Sequence, residues 1–318
     1  MCVDFLPGFY PNGGEKSITG FFKPGKLIEI NGMDFVLGGA VPNTGLAMKK
    51  FGGKVFLNGL IGNDFIGKIA EAQLAEYGAS DGTITTSEAG TAFSIVLAPP
   101  GIDRIFLESP GCNHIFCMDH INVEAVSKSR LFHFGYPPLL KQFYSDEGKQ
   151  LAEMYAKVRE MGVITSLDFS LPDPDTESGK ADWSGVMGKA FPYIDIFTPS
   201  LEEIIYLMMP GKYAGFFSHN EDGNVAEKIP IELIREIGKR IIDSGVKVLL
   251  IKMGSRGTYL LTGEATSLNK KGELKIVGEE WNNREIFCNA YHADDARIVN
   301  SSGAGDTAIG AFLTAILD

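Results

Sequence analysis

What the chain has little of narrows it first. Its 318 residues include only four cysteines, Cys2, Cys112, Cys117 and Cys288. Their scatter suits neither a disulfide framework nor a zinc site, so they read as reduced packing thiols. Positive charge is also scarce: 29 Lys and Arg against 40 Asp and Glu give a net charge of -11. That balance argues against nonspecific binding to nucleic acid or an anionic membrane, both of which need a basic surface. No apolar stretch reaches the length of a membrane span. The opening MCVDFLPGFYPNGGEKS has neither the charged head nor the apolar run of a signal peptide. The cytoplasm is the expected location. There is no G-x-x-x-x-G-K-[ST] loop, no G-x-G-x-x-G at a strand–helix junction and no G-x-S-x-G elbow. Walker-type nucleotide binding, the usual dinucleotide fingerprint and serine-hydrolase chemistry lose their signatures with them.

What is there is an ordinary globular composition, 44% hydrophobic, enough for a sizeable core. Short β-branched runs alternate with helical patterns. The spacing predicts strands at 54–62, 129–135, 163–170, 193–200 and 246–254, and helices at 65–79, 145–162 and 231–245. In the last helix Ile231, Ile234, Ile237 and Ile241 form one stripe. Such alternation predicts an α/β fold whose mostly parallel central sheet has helices on both faces. Sheets of this kind bind ligands at the carboxyl ends of their strands. Two stretches break the alternation, 17–39 and 91–111, and read as hairpins with Pro-Gly turns. They are expected to form a small β lid inserted in a core made of 1–16, 40–90 and 112–318. His133, inside an apolar strand, reads as structural, and 219–228 as a solvated loop.

The chemistry points to NSSGAGD, 300–306, followed by TAIGAFLTAIL. Ile309, Phe312, Leu313, Ile316 and Leu317 lie at helical spacing, so a helix starts near Gly305. Its first amides lack intrahelical partners and carry partial positive charge. Gly303 and Gly305 let a phosphate approach them closely. Asp306 would repel that phosphate, but it is suited to take the proton from a hydroxyl attacking it. The bland alternative is a helix-capping aspartate.

GGAVPN (38–43), LIGND (60–64), PSLEE (199–203), KMGSRG (252–257) and NSSGAGD stand in an order that resembles the ribokinase-like, or PfkB, carbohydrate kinases over nearly the whole chain. The resemblance implies a three-layer fold and an ATP-dependent kinase for a hydroxyl of a sugar or sugar-like alcohol. It implies Asp306 as general base, with Gly303, Ala304 and Gly305 as the anion hole. Asp4, Gly39 and Asn43 match substrate-binding positions. Arg104 falls where related kinases place substrate contacts, and equally reads as a solvated hairpin arginine. Glu203 matches a glutamate that organises Mg2+ through water. Ser200, Lys252, Gly254 and Gly257 fall in the nucleotide-binding blocks. Lys252 can reach a phosphate or simply extend to solvent.

ATP and Mg2+ are the implied cofactors, with room for a monovalent cation, and a homodimer through the lid is an implied partner. The pattern departs from the family at Ser200, where asparagine is usual, and at Asn300 and Ser301, where Asp-Thr is usual. Both ends are short by family standards, and helices that wall the adenine pocket would follow Asp318. That bears on activity more than on fold. A nucleoside kinase, with Phe35, Phe106 and Tyr136 as an aromatic slot, and a noncatalytic sugar-binding protein are the alternatives.

Overall fold

The computed structural model describes residues 1–10, 17–102, 104–217, 225–268, 278–291 and 303–318. The chain divides into two compact units, Met1–Asn43 with Phe56–Phe116, and Thr44–Val55 with Cys117–Asp318.

The first unit carries a four-stranded sheet of β1 (Cys2–Phe9), β2 (Ile30–Gly38), β5 (Ala92–Leu97) and β6 (Ile105–Ser109), in the order β2-β1-β5-β6. The 91–111 hairpin forms as expected, with β5 and β6 antiparallel and Gly101 at φ +78° in the turn. The hairpin expected within 17–39 does not form. Ile18–Phe21 is a short helix capped by Ser17, and β2 pairs antiparallel with β1 instead. The opening strand therefore belongs to this sheet, where it also runs parallel to β5. A second, parallel pair in this unit joins β3 (Gly59–Gly62) to β4 (Thr83–Thr86). The strand predicted over 54–62 is thus confined to its last four residues. Helix α2 (Phe65–Glu76) lies between β3 and β4 in the chain.

The second unit is built on a six-stranded sheet. Its strands are β7 (Leu131–Gly135), β8 (Ile164–Asp168), β9 (Ile196–Phe197), β10 (Val248–Lys252), β11 (Thr258–Thr262) and β12 (Glu285–Cys288). They stand in the order β12-β11-β10-β9-β8-β7. β7 to β10 are parallel, and β11 and β12 add an antiparallel edge. The strand predicted over 193–200 shortens to two paired residues, with a single further bridge from Ser200 to Lys252.

The two-residue period of β10 explains how this sheet is covered. Val248 and Leu250 point to one face, where they meet Met48 of α1 (Ala40–Lys50) and Ile309, Leu313 and Ile316 of α6 (Ala304–Leu317). Leu249 points to the other, against Gly238 of α5 (Ile231–Asp243). The isoleucine stripe of α5 is buried at Ile234, Ile237 and Ile241. Burial on both faces suits a parallel sheet of nearly continuous apolar residues. Two further helices complete the frame, α3 (Lys149–Glu160) and α4 (Leu201–Met208). Of the predicted 219–228 loop, Val225–Lys228 is helical and 219–224 lies outside the described residues.

All four cysteines are free. Cys112 is buried, whereas Cys288 is exposed rather than a packing thiol. His133 is structural in its contacts. Its Nδ1 lies 3.0 Å from Ser166 Oγ, and its buried Nε2 has no partner.

Candidate active site

The carboxyl ends of β7, β8 and β10, the turn after β9 and the first turn of α6 bring one set of side chains together in the second unit. Helix α6 begins where Gly303 takes φ +73°, a left-handed conformation that disfavours a side chain, with no side-chain cap. Its first i→i−4 bond runs from Thr307 N to Gly303 O. The amides of Ala304 and Gly305 therefore have no acceptor within the helix, and both residues are exposed. The Lys252 ammonium stands beside them: a Cβ built on Gly305 would lie 3.7 Å from Lys252 Nζ. Two sources of positive potential thus converge at this helix entrance, as anion binding requires. Asn300 and Ser301 lie outside the described residues.

Asp306 is the third residue of the helix and does not cap it. The residue is only 5% exposed, so its carboxylate is enclosed rather than presented to open solvent. Its Oδ1 accepts from Thr44 Oγ1 at 2.9 Å and from the Tyr136 hydroxyl at 2.7 Å. Gly310, one turn further along α6, explains how Thr44 reaches it. A Cβ at Gly310 would fall 2.8 Å from Ala47 Cβ and 3.2 Å from Thr44 O. Only glycine lets α1 approach this closely, and the approach delivers the Thr44 hydroxyl to the carboxylate.

Lys252 ends β10 and forms an ion pair with Asp168, which ends β8, at 2.8 Å. Asp168 is 1% exposed. Burial raises its carboxyl, Lys252 opposes the rise, and the charge of Asp306 adds to it. Glu203 is raised as well, by burial first and then by the charge of Asp168. It also forms a capping box with Ser200 at the start of α4. Ser200 N donates to Glu203 Oε2 at 2.7 Å, and Glu203 N donates to Ser200 Oγ at 3.2 Å. Serine in place of asparagine thus has a local structural role. Gly254 and Gly257 follow β10 in a tight turn at φ +57° and +96°.

The remaining candidates lie in the first unit. Asp4 on β1, Ser94 on β5 and Glu108 on β6 are register partners and form one row across the sheet. Burial raises the Asp4 carboxyl, while hydrogen bonds from Cys2 and Ser94 lower it. Burial also raises Glu108, and Asp4 adds to the effect. Gly39 has φ +86° at the entrance to α1, and Asn43 is half-buried in that helix. Arg104 is exposed, its guanidinium 5.7 Å from the centre of the Phe106 ring. Phe35 and Phe106 are exposed on the sheet.

Sequence reasoning missed Thr44, Asp168, Ser94 and Glu108, and read Tyr136 only as part of an aromatic slot for a nucleoside. Asp168 did carry a signal, as a carboxylate closing an apolar strand of a parallel sheet, where such folds place ligands.

Comparison with known proteins identifies the family and the fold. A family model described as pfkB family carbohydrate kinase matches residues 14–318. A probable fructokinase-3 of Arabidopsis thaliana is 24% identical over 324 residues, spanning 100% of this chain and 76% of the relative. Fructokinase-1 of Zea mays is 24% identical over 286 residues, 88% of this chain and 73% of the relative. Among solved structures, a ribokinase from Thermotoga maritima has a TM-score of 0.66 at 18% identity, covering 99% of this chain and 82% of its own. A fructokinase with bound ATP from Xylella fastidiosa has a TM-score of 0.66 at 19% identity, covering 98% and 78%. The fold is ribokinase-like, and the chain belongs to the pfkB family of carbohydrate kinases.

Proposed function

We propose that the chain transfers the γ-phosphoryl group of ATP to a hydroxyl of a sugar, with Asp306 as general base. One observation carries this reading: exposed amides of Ala304 and Gly305, the Lys252 ammonium and the Asp306 carboxylate meet at one helix entrance. The amides and Lys252 stabilise charge on the transferring group. Asp306 takes the proton as the sugar oxygen bonds to phosphorus, and the β–γ bridging oxygen leaves with ADP. Asp4, Gly39, Asn43 and Arg104 are the sugar contacts in this reading. The row of half-buried Asp4, buried Ser94 and exposed Glu108 offers acceptors and a hydroxyl suited to sugar alcohols. Ser200, Gly254 and Gly257 belong to the nucleotide's surroundings.

Among the described residues, no group of three or more His, Cys, Asp or Glu could hold a metal ion. One Glu203 oxygen is already bonded to Ser200 and Asp168 is paired with Lys252. These residues fit a magnesium ion that keeps its own water and is held chiefly by nucleotide phosphates, with Glu203 reaching it through water. When bound, the ion neutralises phosphate charge. Exposed apolar side chains on β2 and β6, Phe35, Phe106 and Leu107, support a homodimer through this sheet.

The test is ADP release from ATP and Mg2+ against a panel led by fructose and ribose, with nucleosides alongside. A sugar that raises ADP release and accumulates as its phosphate supports the reading. Preference for a nucleoside replaces the sugar with a base-bearing acceptor. Tight sugar binding with no ADP release would make the chain a binding protein.

A further inference from the structure

Of the two hydroxyls that donate to Asp306 Oδ1, that of Tyr136 is the less enclosed. The residue follows the last position of β7 with φ 60° and ψ 49°, a left-handed conformation uncommon for a bulky side chain. Local contacts hold it there. Tyr136 N donates to Asp168 O at 3.2 Å, Leu139 N donates to Tyr136 O at 3.0 Å, and Pro137 and Pro138 behind it are buried. This backbone turn aims the phenol at Asp306 Oδ1, 2.7 Å away. The other donor to that oxygen, Thr44, is 1% exposed and locked where α1 meets Gly310. Tyr136 is half-buried.

A phenol and a sugar alcohol present the same group to a carboxylate, an O–H that donates. An acceptor hydroxyl that loses its proton to Asp306 must first be hydrogen-bonded to it. On the reading of Asp306 as base, we propose that Tyr136 is a gate: its hydroxyl occupies the acceptor's place on the carboxylate and yields it to a substrate hydroxyl. Until then it keeps water from the base and limits wasteful hydrolysis of ATP. The phenol suits this role because burial, and then the charges of Asp306 and Asp168, hold it protonated. It mimics the alcohol without becoming a nucleophile. A small acceptor such as water cannot offer the binding energy along the rest of a sugar that compensates for displacing it.

The experiment uses the full chain with Tyr136→Phe, measuring ADP release with ATP and Mg2+, alone and with fructose. Loss of the competing hydroxyl should raise acceptor-free ADP release and lower the KM for fructose, each roughly three- to tenfold. A fall in kcat with KM unchanged, or acceptor-free release at the wild-type level, would overturn the gate and make Tyr136 a positioning residue. Should Tyr136→Phe fold poorly, Tyr136→Gly relieves the left-handed backbone and must raise acceptor-free release in the same way. Asp306→Asn, run in parallel, separates the two claims. Turnover retained in Asp306→Asn removes the base beneath the gate. Turnover lost there, with Tyr136→Phe indistinguishable from wild type, removes the gate alone.

Discussion

Among the helices that begin beside an aspartate, α2 and α6 use theirs in different ways. Asp64 stands before α2 and caps it. Its Oδ1 accepts from Gly67 N at 2.7 Å and its Oδ2 from Thr91 N at 2.7 Å. Burial alone would raise its carboxyl, but these amides and the Thr91 hydroxyl hold it below the usual range. Asp306 stands inside the first turn of α6 and leaves that helix's cap to Gly303. Its Oδ1 accepts from two hydroxyls brought from elsewhere in the chain, Thr44 and Tyr136. A structural aspartate uses the free amides of its helix. The other leaves the amides of Ala304 and Gly305 without an acceptor in the helix and turns its carboxylate to hydroxyls from distant elements.

The largest stability effect should come from the open entrance. Lys252→Met leaves Asp168, 1% exposed, without its cation. Breaking a buried pair in this way costs roughly 3–5 kcal/mol, read from urea denaturation, and the variant should also bind ATP more weakly. Lys252→Met with Asp168→Leu should recover much of the stability and none of the ATP affinity. If the double variant binds ATP normally, Lys252 has no part in holding phosphate.

A middle-sized effect lies behind that entrance. Burial first, and the charge of Lys252 second, hold the His133 imidazole down at about 3. The unfolded value is roughly 6.5, so between these values the unfolded chain binds a proton that the folded chain does not. This contribution is complete above the unfolded value and is lost as pH falls toward the folded one. Wild type should therefore lose roughly 2 kcal/mol at this residue between pH 7 and pH 5. His133→Gln should flatten that slope, and an unchanged slope would place the acid sensitivity elsewhere.

The smallest effect belongs to the capped entrance. Asp64→Ala should cost roughly 1–2 kcal/mol of stability while turnover per folded molecule stays at the wild-type level. A large loss of turnover at full folding would mean that the two aspartates are not as different as their contacts indicate.

The sequence was legible wherever the information was local. The isoleucine stripe of α5 and the Pro-Gly turn of the 91–111 hairpin specify their own structure within a few residues. So does the Ser200-Leu-Glu-Glu203 capping box, although it was read only as a nucleotide or metal motif. What escaped depends on distant pairings. The partner of β2 is β1, a strand carrying Pro7 and Gly8 that reads weakly as a strand on its own. Asp306 meets Tyr136 from 170 positions away and Thr44 from 262 away. The place of Asp306 at a helix start could be read from GAGD, but its burial could not, because the groups that cover it come from other elements.

The most direct test of the account is phosphoryl transfer by Asp306→Asn, with its unfolding midpoint measured on the same preparation. Asparagine still offers Thr44 and Tyr136 an acceptor oxygen, so the fold should remain, but it cannot take a proton. The account predicts a fall in turnover of roughly 10²–10⁴-fold with the midpoint close to wild type. Turnover within a few-fold of wild type would contradict it.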